Sequence, residues 1–279
     1  MLLPSRRKSK IVFDILTHLI LIIGSLISIF PFVWMIVSAF KPTEEIFAPN
    51  FWPTRFALEH FIQIFKTSRF DIYFKNSLIV CFFLVTLGLI FDSMGGFALA
   101  KGKFPGRNKL LWLIVSTLMI PVYTTLVPSF IIMSTLHLTN TLSGLIIPGI
   151  SSAVGIFIMT QNIKTVPDAL IDAARIDGCS LFGIYLHVIL PVVRPALGAL
   201  AILRFMGSWN SYLWPLILIT EETKKTIPLG LASLIYQHGI VRWGATMAGS
   251  VVGTLPIIIF FLLMQKQFIR GITLGSIKG

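Results

Sequence analysis

The sequence predicts an all-α integral membrane protein, and three observations carry that expectation. Hydrophobic residues fill 55% of the 279 positions and charged ones only 12%, too little polar content to surround a water-soluble core of this size. The apolar residues gather into six runs of about 20, the length that crosses a bilayer as a helix. Proline recurs inside those runs, at Pro121, Pro128, Pro148, Pro215 and Pro256, so kinks are expected where protein or a water-filled path satisfies the freed backbone groups.

The runs are read as spans over 15–39, 77–98, 110–132, 142–159, 196–219 and 245–264. The first follows the basic start Arg6, Arg7, Lys8 and Lys10. It is far longer than the core of a secretory signal, about 7 to 15 residues, and is expected to stay as an anchor. The segment 41–75 carries Pro42, Pro49 and Pro53 among Phe47, Phe51, Trp52 and Phe56; it is expected on the outer surface, with a short amphipathic helix over 59–65. A second outward loop covers 220–242.

The formal net charge is +12, and its distribution follows topology. Segments assigned to the inside hold 14 Lys and Arg, among them Lys101, Lys103, Arg107 and Lys109, against 8 in the outside segments. This places both termini and the loop 166–195 in the cytoplasm and leaves no basic face suited to nucleic acid. Cys81 in a span and Cys179 in the loop imply no disulfide framework.

The loop 166–195, VPDALIDAARIDGCSLFGIYLHVILPVVRP, is a polar island in this apolar chain. Pro167 suits a first helical turn and Asp168 favours the positive end of the helix dipole. Asp168, Asp172 and Arg175 form a polar stripe, with Leu170, Ala173 and Ala174 on the other side, where small alanines admit a close partner. Gly178 is placed to end the helix, and a second apolar run is closed by Pro191 and Pro195. The reading is a docking element.

Its spacing resembles the cytoplasmic EAA loop of ABC importer permeases, filled here by Ala173, Ala174, Gly178, Val188, Leu190 and Pro191, with Asp177 before the glycine. Asp172 stands where glutamate is typical and Cys179 where alanine is common. The stretch GSWNSYLWPL at 207–216 resembles a recurrent segment of sugar-importer permeases, and the ending QKQFIRGITLGSIKG that of one permease type in carbohydrate importers. With Lys41-Pro42-Thr43-Glu44-Glu45 the likeness covers the whole chain, as one permease domain over 1–279, and the chain is identified as resembling the second permease subunit of the maltose-transporter type. The resemblance implies a second permease, two ATP-binding subunits, and an extracytoplasmic solute-binding protein that delivers a sugar, polyol or glycerol-phosphate-like solute. It also implies that Asp172, Ala173, Ala174, Asp177, Gly178 and Pro191 couple to the ATPase, and that the 220–242 loop meets the binding protein, with Tyr236, Gln237 and His238 as contact candidates.

Within the spans Asp92, Arg204 and Asn210 are costly to bury in lipid and are expected to face protein or water. Asp92 is read as bonding a neighbouring helix and Arg204 as snorkelling to the inner surface. Asn210, Trp209 and Tyr212 are candidates for a substrate path, since amides and aromatic rings suit sugars, although the interfacial belt also explains the aromatic residues. No phosphate loop is present, Gly102-Lys103 being followed by Phe104, so ATP and Mg belong to partner subunits and this chain is expected to bind no cofactor. The five histidines never form a helical i, i+4 metal pair and no G-x-S-x-G turn occurs, so neither a metal site nor an enzyme is expected. An ion-coupled secondary carrier is the alternative; its mark would be paired ionisable residues inside the membrane, for which only Asp92 and Arg204 offer themselves.

Overall fold

The computed structural model describes residues 4–235 and 242–276, and among these there are helices and no strands. They fall into two compact units, one of residues 1–68 with 234–252, the other of 69–233 with 253–279.

In the first unit, α1 (Pro4–Ala39) contains Pro31 without a break. Its apolar side chains, Ile11, Ile20, Ile27 and Phe30 among them, stand exposed, as suits a helix solvated by lipid. Below it the chain folds on itself: the Ala57 amide donates to the Phe40 carbonyl at 2.8 Å, Lys41 Nζ donates to the Asn50 carbonyl at 2.5 Å, and His60 Nε2 lies 3.0 Å from the Lys41 carbonyl. The expected short helix is present as α2 (Glu59–Lys66), burying His60 and Ile64 and exposing Ile62 and Phe65.

The second unit is organised by α3 (Phe70–Lys101). After a basic turn come α4 (Arg107–Ser116), α5 (Val122–Thr135), α6 (Leu142–Ile146) and α7 (Ala153–Lys164). Then α8 (Asp168–Ile176) and α9 (Leu181–Ile184) lead through a π-helical turn (Tyr185–Ile189) to α10 (Leu190–Val192), α11 (Arg194–Trp209), α12 (Leu213–Leu218) and α13 (Ile227–Ile235). The last helix, α14 (Trp243–Ser276), carries Pro256 inside it; its residues up to 252 belong to the first unit and those from 253 to the second.

Among the described residues, three helices are long and apolar enough to cross a membrane, Lys10–Ala39, Phe70–Lys101 and Trp243–Gln265, and up to six spans result if each bent pair counts as one. The kinks expected at Pro121 and Pro148 appear as breaks between helix pairs. Arg107–Met119 meets Val122–Thr135 at 102°, Leu142–Gly149 meets Ala153–Lys164 at 41°, and Leu181–Val192 meets Arg194–Trp209 at 82°. Proline supplies the first cause: Ile120, before Pro121, is extended at φ −82, ψ 117, because the pyrrolidine ring disfavours helical backbone at the residue before it. Pro148 sits in the 3-10 turn Ile147–Gly149. Pro128 stays inside α5 without breaking it. The run read as 196–219 stops at Trp209 and resumes in α12.

α3 packs against α7 at a distance only glycine permits. A Cβ at Gly96 would come within 2.6 Å of Met159 Cβ and 2.9 Å of the Thr160 amide nitrogen, the close approach that small residues give helices in membranes.

Candidate functional site

The loop between α7 and α11 is a built helix-turn-helix. α8 starts after Pro167 (φ −58, ψ 134), which stands just before the first turn. It ends on a left-handed Gly178 at φ +79, where the Gly178 amide donates to the Arg175 carbonyl at 3.0 Å and the Cys179 amide to the Ala174 carbonyl at 2.9 Å. Those two bonds are the glycine-ended helix stop that satisfies orphan carbonyls. Ser180 then caps α9, its hydroxyl accepting from the Gly183 amide at 3.1 Å. The π-helical turn, in which the Leu190 amide reaches back to Tyr185, comes immediately before Pro191, which has no amide to give.

One face of this loop belongs to the protein interior. Ile171, Ala174, Ile184, Ile189 and Val193 join Met159, Ile163 and Leu200 in one buried cluster. Ala174 therefore serves the chain's own packing, and of the two alanines only Ala173 faces out. The opposite face exposes Leu170, Ile176, Leu181 and Phe182, with Asp172 bonded to Arg175 at 3.3 Å. Lys101, at the end of α3, donates to the Val166 carbonyl at 2.6 Å and to Asp168 at 2.7 Å. The Lys101 ammonium holds the Asp168 carboxyl below its usual range.

Deeper in the unit, a cavity of about 490 Å³ opens where the broken helices meet. Its walls include Thr125 and Ser129 of α5, Gly149 and Ser152 at the α6–α7 break, Arg204, Gly207 and Ser208 of α11, then Ser211 and Trp214. Arg204 does not snorkel to a surface. Its Nε donates to Asp92 Oδ2 at 3.0 Å, and Nη2 makes a second, closer bond to the same oxygen. Nη1 donates to the Gly149 carbonyl at 2.6 Å. Asp92, with no exposed surface, accepts at Oδ1 from Ser151 Oγ at 3.0 Å and the Ser152 amide at 2.9 Å. The carboxylate thus sits at the positive start of α7 and the guanidinium at the carbonyl end of the preceding turn, each matched to the local backbone dipole. This is how a helix break is satisfied away from water. Glycine makes the room: a Cβ at Gly155 would overlap Asp92 Oδ2, and one at Gly88 would lie 2.8 Å from the Arg204 guanidinium.

The structure gathers Asp172, Ala173, Ala174, Asp177, Gly178 and Pro191 on one loop. Around the cavity it selects the neighbours of the expected residues: Trp209 is buried and its indole donates to the Gly253 carbonyl at 2.9 Å, Asn210 bonds its own helix at the Met206 carbonyl, and Tyr212 stands exposed. None of these three is among the cavity's lining residues. Tyr236, Gln237 and His238 lie outside the described residues. Sequence reads Lys101 only as an inside charge and does not point to Gly155 or Ser152; a Ser or Thr three residues before Gly, repeated at Thr141, Ser152 and Ser180, marks each helix restart in which the hydroxyl accepts from that glycine.

The family described as binding-protein-dependent transport system inner membrane component matches residues 92–274. This chain belongs to that family. Among its relatives in the binding-protein-dependent transport family, the arabinooligosaccharides transport system permease protein AraQ of Halalkalibacterium halodurans is 38% identical over 91% of this chain and 92% of its own length. The lactose transport system permease protein LacG of Rhizobium radiobacter is 32% identical over 95% and 96%. The sn-glycerol-3-phosphate transport system permease protein UgpE of Yersinia pestis is 32% identical over 93% and 95%. A solved bacterial ABC transporter involved in the import of the acidic polysaccharide alginate shares the fold, with TM-score 0.83 at 23% identity over 96% of this chain and 99% of that one. As a member of this family the chain is a permease subunit of a binding-protein-dependent importer, a transport subunit and not an enzyme. Asp92 and Arg204 do form the buried ionisable pair that an ion-coupled carrier would need, but the family decides against that reading.

Proposed function

We propose that this chain is the second permease of a carbohydrate-class ABC importer, working with another permease, two ATP-binding subunits that hold ATP and Mg, and an extracytoplasmic binding protein. In this reading it crosses the membrane six times with both termini and the 166–195 loop in the cytoplasm, and it carries a sugar or a related polyol or glycerol phosphate. The observation that carries it is the two-faced loop. One side is fastened into the core through Ile171, Ala174, Ile184 and Ile189, while Leu170, Ile176, Leu181 and Phe182 stand exposed beside it. An apolar patch held this way is a handle: a subunit that grips it moves the helices behind it. ATP and the binding protein then drive transport only by favouring the outward-open arrangement over the inward-open one.

Vesicles holding the full complex are expected to accumulate one of arabinotriose, lactose or sn-glycerol-3-phosphate only with internal ATP and external binding protein. Uptake by this chain alone on an ion gradient would overturn the importer reading. Topology has its own test. With Cys81 replaced, exposed Cys179 is expected to resist an impermeant thiol reagent in intact cells and to react after permeabilisation; rapid labelling of intact cells would reverse the assigned orientation.

A further inference from the structure

The loop is entered from α7 and left through α11, and Asp92 of α3 holds both. Its Oδ1 accepts from the backbone at the start of α7, and its Oδ2 takes the Arg204 guanidinium of α11, which in turn holds the Gly149 carbonyl. Lys101 ties the same helix to the loop entry at Val166 and Asp168, about 13 Å along α3 from Asp92. A buried ion pair is poorly explained by stability, because apolar replacements of similar volume often hold a fold as well. What it does supply is register. Two ionic bonds and three hydrogen bonds to fixed backbone and hydroxyl groups admit one relative placement of three helices, and Arg204 is also cavity wall.

Building on the permease reading, we infer that Asp92 and Arg204 are a positioning pair that makes α3, α7 and α11 move as one body, so that displacement of the loop becomes displacement of the cavity wall. The pair touches no transported solute in this role. Without it, α7 and α11 would hinge separately at the 150–152 break and at Val193, and the movement of the loop would be lost before it reached the cavity.

The test uses the full complex in nanodiscs, with Cys81 and Cys179 replaced by alanine and spin labels at Thr165→Cys, on the end of α7, and Met206→Cys, on α11; both positions are exposed. With the pair intact, the distance between labels is expected to stay constant to within about 2 Å when ATP, Mg and vanadate are added. The double substitution Asp92→Asn/Arg204→Gln keeps an acceptor for Ser152 and a donor for Gly149 while removing the charge. It is expected to let that distance change by roughly 5 Å, a helical turn, and to lower solute moved per ATP at least tenfold. A distance that changes already in the intact pair, or stays fixed in the double variant, overturns the inference. Should the double variant fail to assemble, Arg204→Lys decides: it keeps the charge and loses the fork, so a distance as constant as in the intact pair would overturn the inference equally. A complex that hydrolyses ATP without moving any solute, yet shows the expected distances, would count against the importer assignment and leave the positioning role standing.

Discussion

Gly178→Val is expected to leave the chain in the membrane at normal abundance while ATPase co-purification and binding-protein-stimulated hydrolysis fall roughly thirtyfold. The magnitude follows from the backbone. Gly178 sits at φ +79, where a Cβ costs about 1 to 2 kcal/mol and a β-branched residue more, and about 2 kcal/mol is a factor of thirty in the population of the docking-competent loop. Space is not the issue, since nothing lies within 4 Å of a Cβ built there; the conformation is. Gly178→Asn, which tolerates the left-handed region, should restore most of the loss. Normal docking and transport in the valine variant would remove the coupling role from this turn.

Gly155→Ala is expected to have a larger effect on the fold itself. Its methyl group would enter the position of a carboxylate held on all sides by Ser151, Ser152 and Arg204, so neither partner can yield without opening the ion pair. Overpacking together with a disrupted buried pair should cost about 3 kcal/mol or more, read as a lower unfolding midpoint in detergent and little assembled complex. Gly207→Ala is the control. Nothing lies within 4 Å of a Cβ there, and alanine in α11 should be neutral or stabilising by up to about 1 kcal/mol. Equal behaviour of the two variants would refute the packing account.

The loop was legible in sequence because its signals are local. Proline before an acidic first turn, a glycine at the helix stop and a spaced apolar run each act within a few residues. The α2 helix and the break at Pro121 were readable for the same reason. Pairings across distance are harder to read: sequence offers Asp92 and Arg204 as a pair only under the carrier alternative, and does not offer Lys101 with Asp168. Asp92 and Arg204 are 112 residues apart, Lys101 and Asp168 are 67 apart, and neither pair leaves a periodic trace. Helices that are apolar all round do not announce which face meets which neighbour. That is why Trp209, Asn210 and Tyr212 were chosen for the path while Ser208, Ser211 and Trp214, on the next faces of the same stretch, line the cavity. The assignment of Arg204 to the inner surface failed because an arginine can be kept inside if an acid and a carbonyl end await it.

The bent pairs also bear on how the chain enters the bilayer in the first place. α4 has 10 residues and α5 has 14, about 15 and 21 Å of helix against a hydrocarbon layer of about 30 Å. Neither half can leave the translocon into lipid by itself without stranding polar backbone at its broken end. The unit of insertion is therefore the pair, and the α6–α7 break adds a further demand: Asp92 on α3 can take its amide end as soon as α7 is made, but its carbonyl end waits for Arg204 of α11, 55 residues after Gly149. Biogenesis of this protein must shelter an unpaired aspartate and an open helix end until that arginine has been synthesised.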